Sequence, residues 1–461
     1  MTMRTIDRAL LERYDRPGPR YTSYPTAPVW KDTFGPDDYR ERLEVAGGQG
    51  DAPFSLYVHI PYCESLCWYC ACSVVITQDK AKAAAYVDTV LQEAALVAKH
   101  LGETDRRVLQ HHWGGGTPTF LPPEECRRLF EGLCALLPLQ DGAEVSVEVD
   151  PRVTTRAHLE ALADVGFHRI SMGVQDFDPK VQEAIHRVQS FETTQALVDD
   201  ARALGFDSVN LDLVYGLPYQ NEQGFARTLE QVAQLRPDRI ACYSYAHVPW
   251  LKKHQTLMPE AAMPTGPEKQ ALFCQALEGL VDDGMEPIGM DHFARAEDEL
   301  AVAARDGRLH RNFMGYTTRA ADDMLSFGVT SIGEVAGAFT QNHKEVATWR
   351  EAIEQGELPT HRGHRRSDDD DRRRRIILDL MCRFRLDYAD HGGAPEFTDQ
   401  YADALERLRP MADDGLLEIS DDGLRVLDAG KLLIRNLAMA FDAYLPDQQR
   451  EGGGPKFSRT V

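Results

Sequence analysis

Six short β-branched runs alternate with longer helical stretches, and this alternation narrows the fold more than any other feature of the 461-residue chain. The runs cover 55–61, 107–116, 144–151, 169–175, 208–218 and 239–247. Helical periodicity falls between them at 80–101, 122–137, 155–165, 192–205 and 221–235. Strands separated by crossover helices pair in parallel, since antiparallel neighbours need only a short hairpin. The expected architecture is therefore α/β with a parallel sheet, either barrel-like or doubly wound. In such sheets functional groups gather at the carboxyl ends of the strands. The unusual residues obey that rule. Four cysteines follow the first run, Gly114-Gly115-Gly116 ends the second, Glu148 and Asp150 end the third, and Gln175 ends the fourth.

The four cysteines are Cys63, Cys67, Cys70 and Cys72. Three thiolates at the spacing of the first three can hold a [4Fe–4S] cluster and leave one iron without a protein ligand. An open iron can bind a substrate or cofactor. The competing readings are a zinc knuckle and a redox dithiol. Zinc sites usually pair two Cys-x-x-Cys halves or add spaced histidines. No second half is present, because Cys126, Cys134, Cys242, Cys274 and Cys382 are scattered. Nine cysteines without framework spacing point to a reducing compartment, and the cytoplasm is expected. The first residues mix charge with helical periodicity, unlike a signal peptide, and no run is apolar enough to span a membrane. A net charge of −22 argues against nucleic acid and against an anionic membrane surface. An anionic substrate would need local cations, for which Arg20, His310, Arg311 and Arg435 are candidates.

Other residues carry two readings each. Gly114-Gly115-Gly116 is either a tight turn or a cradle letting backbone approach a ligand. Glu148 and Asp150 share one strand face, where they could bind an amine or a ribose, or pair with arginines. Tyr57 and His59 oppose the apolar residues of the first run; His59 is either a buried, hydrogen-bonded histidine or a proton carrier. Gln175, Arg187 and Asp212 fall at or after strand ends. From about 365 the pattern changes. Ser367 precedes Asp368–Asp371 and then Arg372–Arg375, which reads as a capped helix start with acids four residues before arginines. A helix over 398–413, a hairpin and a helix over 429–445 suggest a small winged-helix-like domain capping the sheet.

Taken together, these segments resemble the radical SAM enzymes, and among them the oxygen-independent coproporphyrinogen III oxidase family. The resemblance rests on Arg20-Tyr21-Thr22-Ser23-Tyr24-Pro25-Thr26, Tyr57-Val58-His59-Ile60-Pro61-Tyr62-Cys63 and His112-Trp113-Gly114-Gly115-Gly116-Thr117. It extends through Glu148-Val149-Asp150-Pro151-Arg152, Ser171-Met172-Gly173-Val174-Gln175, Asp212–Pro218, Tyr245-Ala246-His247, Gly289–Ala294, His310–Phe313 and Phe457-Ser458-Arg459. It implies a partial (β/α)6 TIM-like barrel with a mostly helical, winged-helix-like C-terminal domain. The implied division is 1–50 as an extension closing over the site, 51–365 as the barrel and 366–461 as the tail domain. It implies that Cys63, Cys67 and Cys70 ligate a [4Fe–4S] cluster. Two S-adenosylmethionine molecules would be lined by Tyr57, Tyr69, Gly115, Gly116, Thr117, Glu148, Gln175, Arg187, Asp212, Ala246 and Ile332. Tyr57, His59 and Cys72 are the candidate catalytic residues.

The implied reaction is decarboxylation of two propionates of coproporphyrinogen III to vinyl groups in haem biosynthesis, started by a 5′-deoxyadenosyl radical. The implied partners are that substrate and an electron donor protein such as flavodoxin or ferredoxin, with the chain acting as a monomer. The runner-up is a haem-binding or haem-chaperone relative, against which Cys72 and the Arg20–Thr26 segment count. A third option is a related enzyme acting on another tetrapyrrole. Two positions depart from the family pattern: Ala71 stands where Gly is usual, and Met314 where Gln is usual.

Overall fold

The computed structural model describes residues 8–445, 457, 459 and 460. Ser458 and the outermost parts of the expected first and last domains lie outside these residues. The expected strands form at β1 (Phe54–Ile60), β2 (Val108–Gly115), β3 (Leu139–Val149), β4 (Arg169–Gln175), β5 (Ser208–Tyr215) and β6 (Arg239–Ser244). They pair in parallel in that order. The crossover helices are α1 (Ala81–Leu101), α2 (Pro123–Leu136), α3 (Arg156–Val165), α4 (Phe191–Ala203) and α5 (Glu222–Leu235), with α6 (Gly266–Asp282) following β6. This is the six-unit partial barrel that the resemblance implies, where the alternation alone left barrel-like and doubly wound sheets open. Among the described residues no helix is long and apolar enough to cross a membrane.

The sheet continues past both ends of the six-strand unit. Beyond β6 lie β8 (His292–Arg295) and β7 (Met285–Gly289), both antiparallel to their neighbours. Beyond β1 lie β9 (Asp323–Phe327), β10 (Ile332–Val335), β11 (Ala338–Asn342) and β12 (Thr360–Arg365). β9 runs parallel to β1, so β1 is a central strand and is buried along nearly its whole length. A buried ion pair fixes this seam. Arg106, just before β2, meets Asp323 at 2.8 Å with both side chains almost fully buried, and its guanidinium lies 3.7 Å over the Phe54 ring.

The barrel's inward positions are polar. Gln110 and His112 on β2, Glu144, Ser146 and Glu148 on β3, Arg169 and Ser171 on β4, and Asn210 and Asp212 on β5 follow the two-residue period of a strand. The alternate residues, such as Val145, Val147, Ile170 and Leu211, are buried against the outer helices. The apolar core is thus the layer between strands and helices, which leaves the barrel axis free for chemistry.

The tail contains α7 (Asp368–Arg383), a three-stranded antiparallel sheet of Arg385–Asp387, Gly423–Val426 and Leu417–Ile419, and further short helices. Ser367 caps α7 by accepting the Asp370 amide at 3.2 Å. The run of acid–arginine pairs four residues apart holds only in part. Asp369 pairs with Arg373 at 2.7 Å, but Asp370 is drawn to Ser367, His364 and Tyr444, Asp371 to Arg366, and Arg374 to Glu334. Asp370 is 3% exposed, so tertiary partners outcompete helical neighbours. The N-terminal segment is pinned between sheet and tail. Trp30 stacks on Phe339, Tyr21 donates to Asp442 at 3.0 Å, and Tyr24 accepts the Ala443 amide at 3.0 Å.

Glu93 on α1 is 1% exposed and accepts hydrogen bonds from the Gly328 amide at 2.8 Å, the Trp349 indole at 3.1 Å and the Asn342 side chain. Burial nevertheless pushes its carboxyl up to about 8, outweighing these donors. The folded chain therefore holds this proton while the unfolded chain releases it near pH 4.5. Stability tied to Glu93 is fully present below that pH and is lost as pH rises towards 8. At about 1.4 kcal/mol per pKa unit the loss is on the order of 4 kcal/mol. Glu93→Gln should flatten this slope: denaturant unfolding at pH 5 and pH 8 should separate parent from variant mainly by the pH dependence. Parallel pH profiles would show that Glu93 does not titrate in this window.

Candidate active site

The cysteine loop leaves the carboxyl end of β1. It is placed by two-residue strands at Tyr62–Cys63 and Val75–Ile76, which pair in parallel and close the loop at its base. The Thr117 amide donates to the Tyr62 carbonyl at 2.9 Å and the Gly116 amide to the Ile60 carbonyl at 2.8 Å, so the glycine turn after β2 braces the same base. A Cβ at Gly116 would stand 2.6 Å from the Pro61 backbone, and one at Gly115, where φ is +112°, 2.6 Å from the His59 ring. The glycines are required for this close approach.

A cavity of about 520 Å³ opens beneath the loop at the strand ends. Cys63, Cys67, Cys70 and Cys72 border it, as do Tyr69, Gly115, Gly116, Thr117, Glu148, Gln175, Arg187, Asp212 and Ala246. The structure thus brings together most of the residues singled out in the sequence. Tyr57 and His59 stand beside it. Tyr57 stacks on His112 and its hydroxyl meets His59 Nδ1 at 3.1 Å, while His59 Nε2 meets the Ser73 carbonyl at 3.0 Å. A carbonyl can only accept, so Nε2 carries the proton and Nδ1 accepts from Tyr57. Burial lowers the His59 pKa, which keeps the ring neutral. Ile332 begins β10, two strands from β1, and does not line the cavity.

Charge is arranged asymmetrically. Asp150 meets Arg187 at 3.0 Å and Arg152 at 2.7 Å, and Arg187 also donates to the Gly173 carbonyl at 2.7 Å. The two arginines hold Asp150 down at about 2 despite its burial. Both also point at Cys67 Sγ, Arg152 at 3.3 Å and Arg187 at 3.6 Å. Glu148, half-exposed to the cavity, accepts from His112 at 3.4 Å and from the Gly115 amide at 3.2 Å, and these bonds lower its pKa. Asp212 goes the other way: burial first, and then the Glu148 charge, push it up to about 7. One carboxylate is therefore firmly ionised, and its neighbour is poised to gain or lose a proton near neutrality.

The donor set fits an iron–sulfur cluster. All nine cysteines are free. Cys63, Cys67 and Cys70 sit on one loop and all border the cavity, and three thiol donors so placed suit the [4Fe–4S] cluster of the spacing argument.

Sequence reading missed several contributors. Arg152 lay in a matched segment, yet nothing marked it as a partner of Cys67. A turn after β6 grips the cysteine loop by its backbone: Gln255 donates to the Tyr69 carbonyl at 3.0 Å, His254 to that of Cys70 at 2.7 Å, and Lys252 to that of Cys72 at 2.9 Å. These contacts span about 180 residues of sequence and carry no local signature. Of the four candidate cations, Arg20 lines the cavity and pairs with Asp291. Arg311 is buried and donates to the Arg20 carbonyl at 3.2 Å, and His310 is partly buried. Arg435 donates to the carbonyls of Gly18 and Pro19 and so holds the N-terminal segment.

A parallel partial barrel with a three-cysteine loop on its first strand defines a radical SAM protein, a class that carries a [4Fe–4S] cluster and S-adenosylmethionine; residues 57–232 match the Radical SAM superfamily. Residues 367–433 match the HemN C-terminal domain. The chain is 42% identical over 458 residues to the oxygen-independent coproporphyrinogen III oxidase of Synechocystis, covering 98% of this chain and 97% of that protein. It is 41% identical over 457 residues to the Escherichia coli protein of the same name, covering 99% and 98%. The solved structure of coproporphyrinogen III oxidase (HemN) from Escherichia coli superposes with a TM-score of 0.89 at 41% identity, over 95% of this chain and 99% of that one. The chain belongs to the oxygen-independent coproporphyrinogen III oxidase family.

Replacing Cys63, Cys67 or Cys70 by serine should abolish the visible absorption of the reconstituted cluster, whereas Cys72→Ser should retain it. Loss of absorption in Cys72→Ser would overturn the assignment of three ligands.

Proposed function

We propose that this chain is an oxidoreductase that decarboxylates coproporphyrinogen III to protoporphyrinogen IX without oxygen, in haem biosynthesis. The observation that carries this reading is the cavity at the barrel mouth, bordered together by the cysteine loop, Glu148, Asp212 and Arg187, in a chain with near full-length family identity. Cys63, Cys67 and Cys70 would hold the cluster, and the cofactor-binding candidates at the cavity, Ile332 aside, would take up S-adenosylmethionine, of which the family resemblance implies two. When bound, these groups would supply one electron and a 5′-deoxyadenosyl radical able to take a β-hydrogen from a propionate, which would then lose CO2 and pass one electron to a one-electron acceptor to leave the vinyl group.

The chain's own residues do the rest. Glu148, ionised at neutral pH, accepts from an ammonium or from ribose hydroxyls. Arg187 is anchored by Asp150 and offers its charge to a carboxylate at the cavity wall. Asp212, at about 7, can accept a hydrogen bond when ionised or donate one when protonated. Tyr57 and His59 hold the exit of the cysteine loop through the Ser73 carbonyl. The described part of the N-terminal segment closes the mouth through Arg20, and Asp442 and Ala443 of the tail domain hold it through Tyr21 and Tyr24, which keeps water from a radical. The substrate's four carboxylates account for cations near the mouth of a chain whose net charge is −22. A protein such as flavodoxin or ferredoxin would donate the electron. The protein would act as a monomer in the cytoplasm, without nucleic acid or membrane.

Anaerobic protein with an intact cluster should convert coproporphyrinogen III to protoporphyrinogen IX when given S-adenosylmethionine and dithionite, with two vinyl groups seen by mass spectrometry. Absence of any vinyl product under those conditions would refute the assignment.

A further inference from the structure

The outer side of the cysteine loop forms one wall of a second cavity, a surface groove of about 630 Å³. Its other walls are the turn at 251–254 and the segments 329–330 and 344–347. Cys72 lines both this groove and the inner cavity, so the loop is a thin partition between solvent and the cluster site. The groove carries Lys252, Lys253 and Lys344 against one acid, Glu345. Glu64, in the same loop, is paired with Lys80 at 2.7 Å. In a chain of net charge −22 this is a local reversal of sign. The rim is apolar as well: Trp250 is 54% exposed, Leu251 64% and Ile76 44%. Exposed apolar side chains ringed by charge mark interaction surfaces.

We propose that this groove docks the electron donor, an acidic protein carrying one electron at low potential; this rests on the reading above that the chain holds a reducible cluster. Two requirements of electron transfer coincide here. Tunnelling falls steeply with distance, so a donor must dock where the least protein separates it from the cluster, and the groove is backed by the cysteine loop itself. An acidic donor approaching an acidic protein is repelled except where the field reverses, and the lysines supply that reversal. The small size of the groove suits the limited, short-lived contacts of redox partners. Lys252, His254 and Gln255 further tie the docking face to the carbonyls of Cys72, Cys70 and Tyr69, so the face moves with the loop.

Flavodoxin, an acidic flavoprotein, is a suitable probe. Reduced flavodoxin mixed with the reconstituted parent protein should bleach the cluster's visible absorption in a stopped-flow experiment, more slowly as salt is raised. The double variant Lys253→Glu/Lys344→Glu should lower the second-order rate constant at low salt by at least about 10-fold and weaken its salt dependence. Leu251→Asp should also slow the reaction. Dithionite needs no docking face and should bleach all variants as fast as the parent. Equal flavodoxin rates in parent and charge-reversed protein would overturn the proposal. So would equal losses with dithionite, or a parent that flavodoxin cannot reduce. Because the readout is cluster reduction, a protein that forms no vinyl product would still decide the docking question.

Discussion

The buried ion pair between Asp150 and Arg187 holds the site together. Asp150 follows β3, Arg187 follows β4, and Arg187 also reaches the Gly173 carbonyl of β4 and the Cys67 sulfur. Two strand ends and the cysteine loop thus meet at one guanidinium. Desolvating two charges costs several kcal/mol each, and Coulomb attraction offsets that only where further hydrogen bonds complete both groups. Here Arg152 completes Asp150, and a carbonyl and a sulfur complete Arg187. The pair is a poor source of stability compared with apolar packing, but it sets geometry. Removing Arg187 leaves Asp150 with Arg152 alone, and removing Asp150 leaves Arg187 without a carboxylate partner, so the loop's position and the ionisation of Asp150 change together.

The neighbouring carboxylates differ for a reason of their own. Glu148 and Asp212 face the same cavity, and like charges at close range cannot both ionise freely. Glu148 has His112 and a backbone amide; Asp212 has only the neutral donors Asn210 and Ser171. The better-solvated partner takes the charge and pushes the other upward. This difference arises within the polar interior of the barrel, where every second strand residue points away from the apolar layer.

The same two-residue period made much of the fold legible. The six strands and five crossover helices appear within a few residues of where β-branched runs and helical periodicity place them, because each is long and amphipathic. The cysteine loop and the strand-end residues were legible because parallel topology sends functional groups to one edge. Strands β9 to β12 were not read: they are short, and three carry polar residues such as Glu334, Gln341 and His364 that break any simple pattern. β9 belongs beside β1 although about 260 residues separate them, and the Arg106–Asp323 pair, the sheet hydrogen bonds and the burial of β9 join it there without a local signature. The charge block at 368–375 was read correctly as a capped helix, but Asp370 closes a capping box on Ser367 and reaches Tyr444, and Arg374 reaches Glu334, distant partners that no local rule could name.

The grip of the turn after β6 on the cysteine loop was the least legible feature, and its physical basis says why. It works through backbone carbonyls of Tyr69, Cys70 and Cys72, which every residue type presents alike. The donors Lys252, His254 and Gln255 need only reach them, so neither side of the contact is written as a motif. Backbone recognition of this kind fixes the loop's shape without using the side chains that the chemistry needs. It leaves the sulfurs free to face inward, while Trp250, Leu251 and Lys253 of the same turn face out. One short turn can therefore shape the inner cavity and present a surface to solvent, because Lys252, His254 and Gln255 bind the loop's backbone while Trp250, Leu251 and Lys253 stay exposed.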